Sequence, residues 1–198
     1  MGKEHINHEQ LLFDAFRDNN IKNIGFLPCV VQNDGQVDWN ITISSKEYAD
    51  FLMRIFDIWT HSDVHGMSIR NFDDAIRHFR GYPSSTCIGK NNCNRYLTVS
   101  PDGTLYLCDN FSLNQRNKVG HVADEFEKVD DSDAMKWIVQ AMQDVPEGCS
   151  KCQYFDGCYG GCKYYRWIED PTLQHRQYYC LSTRLLYSHV GEALATGE

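Results

Sequence analysis

Apolar residues recur along this chain with the period of a helix in some stretches and of a strand in others. In residues 9–19, Leu12, Ala15 and Phe16 share one face, which predicts a short amphipathic helix ending at Asn19-Asn20. Ile21 to Val31 is mostly apolar. It predicts a strand covered on both faces, as in a parallel sheet, whose hydrogen-bonded part ends near Pro28. A polar loop follows to Trp39, with Asp34-Gly35 as its turn. Ser44-Ser45-Lys46-Glu47 is a capping box, with Ser44 at the N-cap and Glu47 as its partner. Behind it Tyr48, Phe51, Leu52, Ile55, Phe56 and Trp59 return every three or four residues, so a helix is expected over 45–60.

Met67 to Phe72 reads as a second strand, followed by a short helix through Phe79 that stops at Gly81-Tyr82-Pro83. Helix, strand, helix is the closing part of an α/β arrangement, too short here to be a whole one. Residues 96–100 and 104–107 alternate with period two around Pro101-Asp102-Gly103, which predicts a hairpin with Gly103 left-handed. A helix is expected over 132–142 with Met135, Ile138, Val139 and Met142 inward, and a terminal helix over 180–194.

At 198 residues the chain makes one ordinary domain or two small ones. Its net charge of −8 comes from acids that are dispersed except around Asp130, Asp131 and Asp133. It has no basic stripe, which argues against nucleic-acid phosphates as partners. No apolar run approaches the ~20 residues of a membrane span, so no membrane partner is expected. The first residues, Met-Gly-Lys-Glu-His, carry no apolar leader, and Ile6 stands where myristoylation favours Ser or Thr. A cytoplasmic location is therefore expected. In that reducing setting, closely spaced cysteines are metal ligands rather than disulfides.

Eight of the nine cysteines fall into one ordered series: Cys87, Cys93, Cys108, then Cys149, Cys152, Cys158, Cys162 and Cys180. Eight ligands are two sets of four. Each set suits a [4Fe–4S] cluster, a structural zinc or a pair of disulfides. Zinc fits Cys149-x2-Cys152 with Cys158-x3-Cys162, leaving the other four for a second site. Disulfides fit poorly because the cysteine count is odd. Iron–sulfur ligation fits a different partition. Cys149, Cys152 and Cys158 wrap one cluster, Gly160-Gly161 turns the chain, and Cys162 joins Cys87, Cys93 and Cys108 at the other, leaving Cys180 to close the first-named group. Many aromatics lie among these cysteines, among them Tyr154, Phe155, Tyr159, Tyr164, Tyr165 and Trp167. They suit a cluster shielded from water as well as ordinary core filling. The ninth cysteine, Cys29, is isolated and is expected to be a small buried residue at a strand end.

The series Cys93, Gly103, Cys108, Cys149-x2-Cys152-x5-Cys158-x3-Cys162, Cys180 resembles the SPASM domain of radical S-adenosylmethionine (SAM) maturases. Phe26-Leu27-Pro28-Cys29, Phe56-Asp57-Ile58-Trp59, Ser68-Ile69-Arg70-Asn71-Phe72-Asp73, Pro101-Asp102-Gly103, Cys108-Asp109 and Cys158-Tyr159-Gly160-Gly161-Cys162 extend the likeness over residues 9–190 to the C-terminal half of anaerobic sulfatase-maturating enzymes. The resemblance implies an α+β chain. Residues 1–80 would be the last strand–helix elements of a partial (β/α) barrel, and residues 81–198 a SPASM domain with two auxiliary [4Fe–4S] clusters. It implies a protein or peptide substrate and oxidation of a cysteine or serine to formylglycine. Asp109, directly after the third cysteine of the first cluster, would be the base that takes a substrate proton. Apart from the resemblance, Asp109 reads as a residue that hydrogen-bonds its own turn.

The chain also departs from that family. It holds no Cys-x3-Cys-x2-Cys triad for a SAM-binding cluster, and a complete barrel needs about 200 residues or more. The expectation is a fragment or one half of a split enzyme, with SAM bound only in the complete protein and an N-terminal radical SAM half as partner. A ribosomal-peptide crosslinking maturase of the same architecture, and a zinc-stabilised binding module without redox role, are the alternatives. Lys118-Val119-Gly120-His121-Val122 stands where the family has a Gly-Asn-Ile-like sequence, and His121 reads as a turn cap. His61 and His65 have the spacing of a metal pair but sit beyond a helix end with no third ligand, which makes them surface loop residues.

Overall fold

The computed structural model describes residues 1–33, 36–111 and 115–197, so the Asp34-Gly35 turn lies outside the described residues. Helix α1 (Glu9–Asp18) buries Phe13 and ends where Asn20 turns left-handed. Strand β1 is only Asn23–Ile24, and Gln32–Asn33 (β2) pairs antiparallel with Gln36–Val37 (β3). Helix α2 (Ser45–Thr60) begins at the expected box. The Glu47 N–H donates to Ser44 Oγ at 3.2 Å, and the Ser44 N–H donates to Glu47 Oε2 at 2.8 Å. Strand β4 (Ser68–Ile69) runs parallel to β1, with Asn23 opposite Ser68 and Ile24 opposite Ile69, and leads into α3 (Arg70–Phe79). A parallel pair needs a long crossover, and α2 lies in it.

The apolar run from Ile21 does not become the long buried strand its composition suggests. Beyond Ile24 its backbone groups are met by side chains instead of a ladder. The Phe26 N–H donates to Asn71 Oδ1 at 2.9 Å, and its carbonyl accepts from Tyr48 Oη at 2.7 Å and Asn71 Nδ2 at 3.0 Å. The Cys29 N–H donates to the Met1 carbonyl at 2.7 Å. Only Ile24 and Phe26 are buried, while Leu27 and Cys29 are exposed, so Cys29 is not the buried strand-end residue expected. The core forms instead around α2, where Phe26 meets Phe51 and Phe56 meets Phe72, each edge-to-face at 5.2 Å between centroids.

The second compact unit runs from Cys87 to Gln177. It opens with α4 (Cys87–Lys90) and a three-stranded antiparallel sheet in the order β5 (Thr98–Val99), β6 (Thr104–Tyr106), β7 (Lys118–His121). The predicted hairpin joins β5 and β6. The Gly103 N–H closes the turn on the Ser100 carbonyl at 2.8 Å, with Gly103 at φ +83°. Strand β7 was not signalled by period-two alternation, because Gly120 leaves one face bare and the ladder slips between Leu105 and Tyr106. Short helices α5 (Phe126–Asp130), α6 (Asp133–Gln143), α7 (Phe155–Cys158) and α8 (Lys163–Trp167) complete the unit. On α6 the buried residues are Ala134, Met135, Ile138 and Ala141, with Val139 and Met142 half-buried. Phe111 packs edge-to-face on Tyr164 at 5.5 Å and on Trp137 at 5.8 Å.

The last helix, α9 (Cys180–Thr196), belongs with the first unit, Met1–Thr86. It packs on α2 and α3, the Ser182 N–H donates to Ser45 Oγ at 3.0 Å, and Tyr179 Oη donates to the Ile43 carbonyl at 3.0 Å.

Asp74 on α3 is buried and organises the segment that ends the first unit. Its carboxylate accepts from Ser84 Oγ (2.8 Å), Ser85 N and Oγ (both 2.7 Å) and Thr86 Oγ1 (2.5 Å). Burial alone would raise the Asp74 pKa, but the four donors outweigh it and hold the carboxyl below its ordinary value.

Two outcomes are expected. Ser44→Ala removes the acceptor of the box and costs about 1 kcal/mol in urea unfolding, with the slope of the transition unchanged. Asp74→Asn lowers stability at neutral pH by roughly 1–3 kcal/mol. Because the folded pKa of Asp74 lies below the unfolded one, its contribution is complete above about pH 4 and fades as pH falls through the folded value. The wild-type chain therefore shows an acid-dependent loss that Asp74→Asn lacks in a series of melts. Identical acid limbs would refute this.

Candidate metal centre

All nine cysteines are free thiols. Cys87 begins α4 and is exposed, and Cys93 opens a one-turn segment, Cys93–Arg95, packed against α6. Cys108 follows β6 and precedes the tight turn Asp109–Phe111, and Cys162 is the N-cap of α8. Cys93 is a charge neighbour of Cys87, Cys108 and Cys162, and Cys108 of Cys162. Burial pushes the Cys162 thiol up to about 12, and the thiols of Cys93 and Cys108 reinforce the rise. Cys108 is pushed up to about 11, again by burial, with Asp109 and Cys93 adding to it while the N–H groups of Phe111 and Asn110 oppose it. Burial also raises Cys93, and Cys87 is among its charge neighbours.

Cys149, buried, has Cys152 as a charge neighbour, and Cys158 ends α7. Burial raises the Cys149 thiol, and Arg176 is the largest opposing influence. Cys180 stands at the first turn of α9, in the other unit.

Between Cys158 and Cys162 the backbone reverses. Tyr159, Gly160 and Gly161 have φ of +48°, +75° and +83°, three left-handed residues in succession. The Tyr159 N–H closes α7 on Phe155 at 2.7 Å, and the Gly161 N–H donates to the Cys158 carbonyl at 2.8 Å. Gly161 is required twice, since a Cβ there would also overlap the Gln177 amide. That amide accepts from the Cys162 N–H at 3.1 Å through Oε1 and places Nε2 4.0 Å from Cys158 Sγ.

Two cations are buried here that sequence reasoning did not single out. Lys163 is 1% exposed and donates from Nζ to the carbonyls of Tyr159 (3.2 Å) and Gly161 (3.3 Å). Arg166 is 0% exposed and donates to the carbonyls of Ala141 (3.3 Å) and Leu173. Burial lowers the pKa of both, and nearby thiols work against that effect: Cys93, Cys162 and Cys158 for Lys163, and Cys149 and Cys93 for Arg166. The available signal was two basic residues one helical turn apart directly after Gly-Gly-Cys, but spacing alone does not tell such a pair from a solvated face.

Asp109 is exposed on the turn after Cys108. His121 caps its own turn. Its Nδ1 accepts from the Ala123 N–H at 3.1 Å, so Nε2 carries the proton and donates to the Asp102 carbonyl at 3.0 Å. His61 closes α2 through Asp57, and His65 is exposed in the loop beyond. Among the described residues no three Cys, His, Asp or Glu side chains converge tightly enough to hold a single ion. A multi-atom cluster keeps its thiolates further apart than one tetrahedral ion does. Free thiols in two groups, with buried cations beside them, suit an iron–sulfur group chemically.

Comparison with known proteins agrees. Residues 87–153 match the SPASM iron–sulfur cluster-binding domain. A cysteine-type anaerobic sulfatase-maturating enzyme of Clostridium perfringens (strain ATCC 13124) is 26% identical over 188 residues, 92% of this chain and 50% of that protein. The Clostridium novyi (strain NT) enzyme of the same name is 23% identical over 191 residues, covering 94% and 51%. A serine-type enzyme of Bacteroides thetaiotaomicron is 24% identical over 125 residues, covering 62% and 30%. Native anSMEcpe with bound AdoMet shares the fold, with a TM-score of 0.83 at 24% identity over 99% of this chain and 54% of that one. The same enzyme with AdoMet and the Kp18Cys peptide gives 0.81. The chain spans about half the length of the curated relatives it matches. Residues 87–153 thus carry the SPASM match, and over 92% of its length the chain is similar to half of an anaerobic sulfatase-maturating enzyme.

Proposed function

We propose that this chain is the auxiliary-cluster portion of a cytoplasmic radical SAM maturase, the part that receives electrons and helps bind the substrate. The complete enzyme would oxidise a cysteine or serine of a target protein, as in formylglycine formation on sulfatases. What supports this reading is that Cys93, Cys108 and Cys162, distant in sequence, are mutual charge neighbours with thiols raised by burial, in the unit that holds the SPASM match. Cys87, Cys93, Cys108 and Cys162 would hold one [4Fe–4S] cluster, and Cys149, Cys152, Cys158 and Cys180 the other. Such clusters supply one-electron acceptance.

The protein's own groups do the remaining work. Asp109 is exposed on the turn that follows Cys108, where its carboxylate would be open to a substrate and would accept its proton. The Gln177 amide fixes the backbone of Cys162, and the aromatic group around Phe111 keeps water from the shielded side. The parallel pair β1–β4 with α2 in its crossover is the arrangement that ends a (β/α) barrel, the fold on which a SAM-binding half would be built. S-adenosylmethionine and an N-terminal radical SAM half are then partners of the complete enzyme, and a protein or peptide is its substrate.

Anaerobic reconstitution tests the cluster assignment. The expected product carries about eight irons and eight sulfides per chain with broad absorbance at the visible edge. A colourless protein with stoichiometric zinc would overturn it in favour of a zinc-stabilised module. For the base, Asp109→Asn in the complete enzyme should leave iron content unchanged and lower turnover about 10²–10⁴-fold. Wild-type turnover in that variant would return Asp109 to a purely local role.

A further inference from the structure

Arg166 and Lys163 lie on one short helix, α8, and both are almost wholly removed from solvent. A buried cation without a counter-charge costs several kcal/mol, so natural proteins pair nearly all of them. Neither of these two forms an ion pair with a carboxylate among the described residues. Their hydrogen bonds go to neutral carbonyls: Tyr159 and Gly161 for Lys163, Ala141 and Leu173 for Arg166. Among the described residues Arg166 Nε has no hydrogen-bond partner, and it is fully buried. Thiols are among the charges that act on both heads. Lys163 has Cys93, Cys162 and Cys158 as charge neighbours, with Arg166 opposing them, and Arg166 has Cys149 first, then the carboxylates of Asp144 and Asp170, then Cys93. Each cation therefore addresses members of both cysteine sets.

We propose that Lys163 and Arg166 are the fixed counter-cations shared by the two thiolate sites, positioning residues that raise the reduction potential of whatever iron–sulfur group those sites hold. Four thiolates around an iron–sulfur core leave a net negative charge, and one-electron reduction adds to it. A permanent positive charge in a low-dielectric setting favours the reduced form, and a guanidinium stays charged at every accessible pH. Net charge around a cluster is one of the recognised determinants of its potential. The shared position has a further consequence. Because each cation has thiols of both sets as charge neighbours, a single substitution bears on both potentials.

This inference rests on the two sets binding iron–sulfur clusters, and the experiment separates the two questions. Iron and sulfide are counted first on the reconstituted wild-type chain; absence of iron there defeats the cluster assignment. Given loaded protein, redox titrations followed by electron paramagnetic resonance compare wild type with Arg166→Gln, Arg166→Lys and Lys163→Gln. Arg166→Gln and Lys163→Gln should each retain iron and shift the reduction equilibrium of at least one cluster tenfold or more toward the oxidised form, which is 59 mV for a one-electron couple. Arg166→Lys, which keeps the charge, should restore most of that shift. Unchanged potentials in loaded Arg166→Gln and Lys163→Gln would overturn the proposal. So would an equal shift in Arg166→Lys, since that would trace the effect to the lost carbonyl bonds. If Arg166→Gln does not fold, Lys163→Gln and Arg166→Lys decide the matter alone.

Discussion

The cysteine-rich unit depends on a reversal of three left-handed residues, Tyr159, Gly160 and Gly161. A helix that continued past Cys158 would keep Cys162 on the same face, one turn further along. With the reversal in place, Cys162 has Cys93 and Cys108 as charge neighbours. The same step starts α8 at Cys162 and so drives Lys163 and Arg166 inward. Two glycines make the conformation accessible, and the second also leaves the space that the Gln177 amide fills. A left-handed tyrosine is strained, and the short bond from its N–H to Phe155 helps to hold it there.

In the first unit, hydrogen bonds from side chains take over where strands stop. Asn71 and Tyr48 satisfy Phe26, and Asp74 satisfies Ser84, Ser85 and Thr86. Backbone groups near a core must be satisfied somewhere, and short strands leave many to provide for. The edge-to-face aromatics of α2 and the return of α9 onto α2 and α3 then supply the apolar burial that two-residue strands do not.

The helices were the legible part of the fold. Capping chemistry and a 3.6-residue period are local, so Ser44 and the stripe from Tyr48 to Trp59 defined α2 to the residue. The hairpin around Gly103 was equally local. The apolar run from Ile21 misled because apolar composition marks burial, whereas ladder pairing depends on what stands opposite, and Asn71 and Tyr48 stand there. Strand β7 was missed because a glycine interrupts its alternation. Cys29 reads as buried by residue type and is exposed because the chain leaves the core after Phe26.

The sequence by itself determined the cysteine series: eight cysteines in an order that suits iron–sulfur clusters, and glycines able to turn the chain between two of them. It determined the helices as well, because those signals lie within a few residues of one another. Only the tertiary structure decided which thiols share a place, that α9 packs with the first unit, and that Lys163 and Arg166 are buried beside sulfur instead of solvated. Those are relations between residues tens of positions apart, and they are fixed by packing and desolvation, which leave no periodic trace along the chain.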